Sequence, residues 1–204
     1  MRRMICVPMM ALCLLLAGCG GETAQKQAAA ARKPYQDMTG CKMEATVTCG
    51  AGSEEALTFD LRCDYAPDGD TTVEVLAPDT VAGVKAVLSG DQLSLQYEDS
   101  CLDAGTLSAE KVSPLTCPAR LMSALRGGWL LEQNEENMGD VPCQRLCLDQ
   151  SAKDGGKILS TVWLRKDDNT PLCGEVSVDG EIILHAEFTS FSFYDILQNS
   201  TTGS

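Results

Sequence analysis

The sequence predicts a mainly β protein: a long, curved antiparallel sheet, apolar on one face and covered by one or two short helices. Three observations predict it. Apolar and polar residues alternate with period two through most of the chain from Cys41 to Phe193, the pattern of strands with one buried and one wetted face. Turn residues separate these runs at intervals too short for the helical crossovers that parallel strands need. A single segment near residue 120 breaks the alternation with a helical pattern.

The strands can be taken in order. Leu57, Phe59, Leu61 and Cys63 alternate with Thr58, Asp60 and Arg62, and Pro67-Asp68-Gly69 turns the chain. Val73, Val75 and Ala77 follow and close at Pro78-Asp79. Val84, Ala86 and Leu88 point one way, and Ser89-Gly90-Asp91 leads into Leu93, Leu95 and Tyr97. In the second half, Leu146 and Leu148 alternate with Arg145 and Asp149. Runs at Ile158 to Leu164 and Leu172 to Val178 follow, and Asp179-Gly180 signals a tight hairpin into Ile182, Leu184, Ala186 and Phe188. About ten strands are expected. Between the halves, Ser113-Pro114 and Pro118 precede Ala119 to Arg126, with Leu121, Met122 and Leu125 on one side and Gly127-Gly128 at the end. Pro at the start and Gly after the end mark a short helix, the natural lid for the apolar face of the sheet.

Composition narrows the function. The chain has 204 residues, 44% of them hydrophobic, enough to bury a core. It carries 16 basic against 29 acidic residues, a net charge of −13, the wrong sign for a nucleic-acid partner. A single His excludes any site built on several histidines. No Gly-x-Ser-x-Gly elbow is present to anchor an esterase triad, and the acids are scattered through turns. No catalytic residue, metal site or cofactor is expected.

The N-terminus has a secretory character. Arg2 and Arg3 precede an uncharged apolar stretch from Met4 to Ala17, too short to remain as a bilayer-spanning helix of about 20 apolar residues. It ends Leu16-Ala17-Gly18-Cys19, which resembles the bacterial lipobox. The resemblance implies that residues 1–18 are a lipoprotein signal peptide and that Cys19 receives a diacylglyceryl group, is exposed by cleavage and becomes the acylated anchor in the plasma membrane, with the domain on its extracytoplasmic face. Two acyl chains satisfy the requirement for stable anchoring. Residues 19–40 then read as the lipidated Cys and a flexible tether with an r.m.s. reach of about 25 Å. Residues 41–195 read as the β domain and 196–204 as a polar tail.

The order of hairpins, short helix and hairpins behind an anchored N-terminus resembles the LolA/LolB-like superfamily of lipoprotein-sorting proteins. The resemblance is carried by Val73-Glu74-Val75-Leu76-Ala77-Pro78-Asp79-Thr80-Val81-Ala82-Gly83-Val84, by Leu93-Ser94-Leu95-Gln96-Tyr97-Glu98-Asp99, and by Ser113-Pro114 before the helix. It implies an unclosed antiparallel β-barrel of about eleven strands whose concave face is plugged by helices. It further implies a non-catalytic binding protein, with a lipid or an acylated protein as ligand. Phe59, Leu61, Val75, Leu95, Tyr97, Leu121, Trp129 and Phe188 are the candidate lining. A similarity to spore-germination lipoproteins of the GerS type leaves a second reading open, in which the same fold docks and stabilises a secreted cell-wall enzyme.

Eight cysteines follow Cys19, at 41, 49, 63, 101, 117, 143, 147 and 173. An extracytoplasmic address permits disulfides. If residues 50–55 connect a hairpin, Cys41 and Cys63 fall nearly opposite, and they are the candidate disulfide. The alternative is a set of free buried thiols acting as small apolar residues. Cys143 and Cys147 on one strand lie about 13 Å apart, beyond disulfide reach. His185, beside Glu187, reads as a surface histidine. Phe188, Phe191 and Phe193 read either as a core-closing last strand or as an apolar face offered to a partner.

Overall fold

The computed structural model describes residues 20–50, 55–106, 112–153 and 155–194. The signal, Cys19 and the polar tail lie outside the described residues. Eleven strands run in chain order as β1 (Cys41–Cys49), β2 (Leu57–Tyr65), β3 (Thr71–Ala77), β4 (Lys85–Ser89), β5 (Gln92–Tyr97), β6 (Ser100–Thr106), β7 (Trp129–Met138), β8 (Val141–Asp149), β9 (Ile158–Arg165), β10 (Pro171–Val178) and β11 (Glu181–Phe193). They form one antiparallel sheet in the order β6-β5-β4-β3-β2-β1-β11-β10-β9-β8-β7. β1 pairs with the last strand, so each half of the chain is a meander and the two halves meet in the middle. β6 and β7 do not close on each other and form the two free edges.

The alternating residues face as the sequence predicts. Met43, Ala45 and Val47 of β1, Leu61 and Cys63 of β2, Val73 and Val75 of β3, and Leu146 and Leu148 of β8 are buried in one continuous core. The Asp179-Gly180 hairpin forms with both residues at positive φ, 51° and 91°, as a primed two-residue turn requires. β6 and β7 gave no alternating run. They are edge strands with almost no buried residue, so no period-two pattern is imposed on them.

Two helices cover the apolar face. α2 (Cys117–Gly127) follows a 3-10 turn at Pro114–Thr116 and extends the expected helix by two residues at its start. It ends where the Gly128 N–H donates to the Ala124 carbonyl at 2.8 Å. Leu121, Met122 and Leu125 are fully buried against the sheet, and the Tyr65 hydroxyl of β2 lies 3.1 Å from Ser123 Oγ.

The expected flexible tether over residues 19–40 is overturned across most of its length. Gly20–Asp37 is a helix, α1. An isolated helix of this length is marginal in water, and packing supplies what propensity does not. Ala28, Ala31 and Tyr35, spaced along one face, are buried. Arg32 fastens α1 to α2: its Nε donates to the Leu125 carbonyl at 2.8 Å and its Nη2 to the Gly128 carbonyl at 2.8 Å, satisfying carbonyls that a helix C-terminus leaves without partners. The folded unit therefore begins before Cys41.

Candidate functional site

The concave face of the sheet is the candidate site, and the helices divide it into two parts. Under α1 and α2 the apolar face is sealed. Beyond β4 the cover ends, which is visible along a single row of directly paired residues. Val73 of β3 opposes Ala86 of β4, Ala86 opposes Leu95 of β5, and Leu95 opposes Leu102 of β6. Val73 and Ala86 are fully buried, Leu95 is half-buried and Leu102 is 64% exposed. From Leu95 outward, strands β5 and β6 thus form an apolar wing open to solvent. At the end of the sheet where β2, β4 and β6 begin, Leu57 (62% exposed), Val81 and Tyr97 (50% exposed) extend it.

The eight residues expected to line one cavity fall into three places. Leu61, Val75, Leu121 and Phe188 are buried in the core. Phe59 and Leu95 sit half-buried at its margin, and Tyr97 continues from them onto the wing. Trp129 lies at the other side of the molecule, on edge strand β7, and is 76% exposed. It flanks a cleft of about 290 Å3 between α1 and β7, with Ala29, Arg32, Gln36 and Leu130 among its walls. The helix beside Trp129 is α1, which the sequence pattern presents as coil. Leu57, Val81 and Leu102 were not among the candidates. The signal that would have found Leu102 is its register opposite Leu95.

Six of the eight described thiols are buried, Cys49 is half-buried and Cys101 is exposed. All eight described cysteines are free. The register corrects the Cys41–Cys63 expectation: Cys41 opposes Tyr65, and Cys63 opposes Met43, so the two lie diagonally on the same face rather than opposite each other. Burial, reinforced by Asp64, pushes the Cys41 thiol up to about 12, and burial, with Cys41 and Asp64 beside it, raises the Cys63 thiol well above its ordinary value. Both are protonated and poor nucleophiles at neutral pH. On the outer face, Cys143, Trp163 and Cys173 form a small second cluster. The Trp163 indole N–H donates to Glu136 there, and the Arg145 guanidinium sits 5.6 Å from the ring centre. Among the described residues no three His, Cys, Asp or Glu side chains are grouped to hold a metal ion.

His185 faces outward from β11 between two acids, its Nδ1 3.5 Å from Glu175 and its Nε2 3.7 Å from Glu187. The hydrogen bond with Glu175 is the main cause that raises its affinity for a proton, burial opposes it, and the remaining charge of Glu175 and Glu187 adds to it. A raised folded-state value stabilises the fold below the unfolded pKa of about 6.5, and the gain disappears as pH climbs through the folded value. Urea midpoints are expected to fall as pH rises through the neutral range in the native chain, and to fall less in His185→Gln. Parallel pH profiles for the two would show that this trio does not contribute.

No protein-family model matches the sequence, and no curated protein matches it. Solved structures do resemble it in fold. An uncharacterized conserved protein from Thermus thermophilus is similar with a TM-score of 0.50 and 12% identity, over 85% of this chain and 89% of that one. A LolA superfamily protein from Nitrosomonas europaea is similar with a TM-score of 0.49 and 12% identity, over 85% and 94%. The lipoprotein LppX from Mycobacterium tuberculosis is similar with a TM-score of 0.42 and 13% identity, over 83% and 93%. At such identities the likeness is one of fold. The unclosed eleven-stranded antiparallel sheet with two helices over its concave face has the architecture that the sequence led one to expect.

Proposed function

We propose that this chain is a membrane-anchored lipoprotein on the extracytoplasmic face of the plasma membrane, and that its concave wing binds the acyl part of a lipid or of an acylated ligand without catalysing a reaction. One observation carries the binding reading: burial declines from Val73 to Leu102 along one paired row, so an apolar strip adjoins the core with nothing of the described chain upon it. Large exposed apolar patches on soluble domains mark binding surfaces, and hydrocarbon gains roughly 0.8 kcal/mol per buried CH2. The anchor rests on the lipobox at Cys19, which immediately precedes α1 in sequence. A docked helix of about 27 Å, at 1.5 Å per residue, then replaces a loose tether and holds the domain close to its membrane.

A second reading has its own support. The half of the concavity under the helices is sealed, with Leu121, Met122 and Leu125 fully buried, which suits a rigid surface that docks a secreted cell-wall enzyme.

Native mass spectrometry of the full chain, gently extracted from membranes, tests both. A co-purifying amphiphile, and diacylglyceryl mass on the N-terminal Cys19 that is lost in Cys19→Ser, are expected. A fluorescent acyl probe should bind at least about tenfold more weakly to Leu57→Asp/Tyr97→Asp than to the native chain, a loss of about 1.4 kcal/mol. Both positions are at least half exposed, so these variants are expected to fold, as surface substitutions do. An empty domain that carries one protein in fixed stoichiometry would favour the docking reading, and unmodified Cys19 would remove the anchor.

A further inference from the structure

The two free edges of the sheet are built differently. β7 is guarded. Glu132 pairs with Arg145 at 3.6 Å and Glu135 with Lys166 at 2.8 Å, and α1 runs beside the start of the strand. Charges on an edge are a standard defence against further strand pairing. β6 is guarded less: its one charge is Asp103, whose carboxylate accepts the Gly105 N–H at 2.8 Å, and its one irregularity is a register shift against β5 near its end at Gly105. From Gly90 to Thr106 there is no Lys, Arg or Pro. Every residue of β6 except Gly105 is exposed, and Leu102 stands on the concave side at 64% exposure. An edge with unpaired backbone groups and an apolar side chain beside it is a template for one more strand.

We propose that β6 and the adjoining wing dock an extended, basic segment of a partner protein, which adds a twelfth strand to the sheet. The charge pattern selects this occupant. The same Gly90 to Thr106 stretch carries Asp91, Glu98, Asp99 and Asp103. Glu98 and Asp99 form the turn that leads into β6, and Asp103 faces outward from it, opposite Ser94. A second copy of this chain would bring these acids against themselves on a molecule of net charge −13. Anionic lipid headgroups meet the same repulsion. A segment that alternates apolar residues with Lys or Arg answers both features. Its apolar side chains continue the row Val73, Ala86, Leu95, Leu102, and its cations fall on the face of Asp103. Paired opposite charges across strands are favourable and like charges are not. The proposal goes beyond acyl binding and requires no acyl chain, though both use the wing.

The test uses the full chain and two acetylated peptides matched to the seven residues of β6, one alternating Lys with Val and the other Glu with Val. The Lys peptide is expected to bind at least about tenfold tighter than the Glu peptide, with the margin shrinking as salt rises from about 0.05 M to about 0.5 M. Backbone amides of Ser100–Thr106 should gain protection from hydrogen exchange on binding. Leu102→Lys places a guarding charge on an already exposed position and should weaken the Lys peptide about tenfold. Glu98→Gln/Asp103→Asn should narrow the difference between the peptides. Equal affinity for the two peptides, protection at β7 in place of β6, or protection of β6 by self-association without peptide would each overturn the proposal. The acyl probe separates the two ideas: peptide binding with no probe binding removes the acyl reading alone, and probe binding with no peptide binding removes this one alone.

Discussion

Tyr35→Ala is expected to destabilise the domain by about 3–5 kcal/mol, the range for deleting a buried aromatic side chain. Tyr35 lies on α1 and is fully buried. Its ring meets Phe193 edge-on at 5.2 Å between centroids and tilts against Phe191 at 6.0 Å. Its hydroxyl donates to the Asn169 carbonyl in the β9–β10 turn at 2.6 Å. One side chain thus joins the first helix to the last strand and to a turn far away in sequence. Tyr35→Phe keeps the rings together and removes only the hydrogen bond, with an expected cost of about 1 kcal/mol. Urea unfolding of the three proteins reads both steps, and hydrogen exchange in α1 should rise sharply in the Ala variant alone. If residues 20–37 were a solvated tether, Tyr35→Ala would stay within about 0.5 kcal/mol of the native chain, as surface substitutions do.

That helix also marks the boundary of what the sequence discloses. Strand identity, facing and turn positions were legible for β2–β5 and β8–β11, because a half-buried sheet forces period-two alternation and a primed turn demands residues such as Asp179 and Gly180. α2 was legible from its Pro and Gly punctuation. α1 was not. Its buried face consists of Ala28, Ala31 and Tyr35, and two alanines in a run of four carry no contrast between an apolar and a polar side. What fixes α1 is Arg32 reaching the C-terminal carbonyls of a helix more than ninety residues on, a tertiary contact with no local trace. The site failed for a related reason. Alternation tells which face a residue takes but not how far the helices reach across that face. Leu61 and Val75 therefore read like Leu95 and Tyr97, although the first two are core and the last two border or join the open wing. Register error of two residues, as between Cys41 and Cys63, keeps the face right and the partner wrong.

Where α2 lands on the sheet makes the second large effect. Gly174 of β10 stands on the concave face between Val162 of β9 and Ala186 of β11. A Cβ built there would lie 2.7 Å from Leu121 Cδ1 and 3.1 Å from Cδ2. The absence of a side chain at residue 174 makes the seat for Leu121, and Leu121 is fully buried. Gly174→Val is therefore expected to cost about 1–3 kcal/mol by overpacking and to lift α2, so that amides of Cys117–Gly127 exchange faster. Leu121→Ala alone should cost about 2–5 kcal/mol through the cavity it leaves. Together the two should cost less than their sum by about 0.5–3 kcal/mol, because the valine methyls fill the space that the leucine vacates. Strict additivity in urea titrations of the double-mutant cycle would mean that α2 does not rest on Gly174. The acyl probe and the Lys peptide, which use the wing beyond β4, should bind the folded Gly174→Val variant as tightly as the native chain, since the helix seat and the open wing lie on separate stretches of the same face.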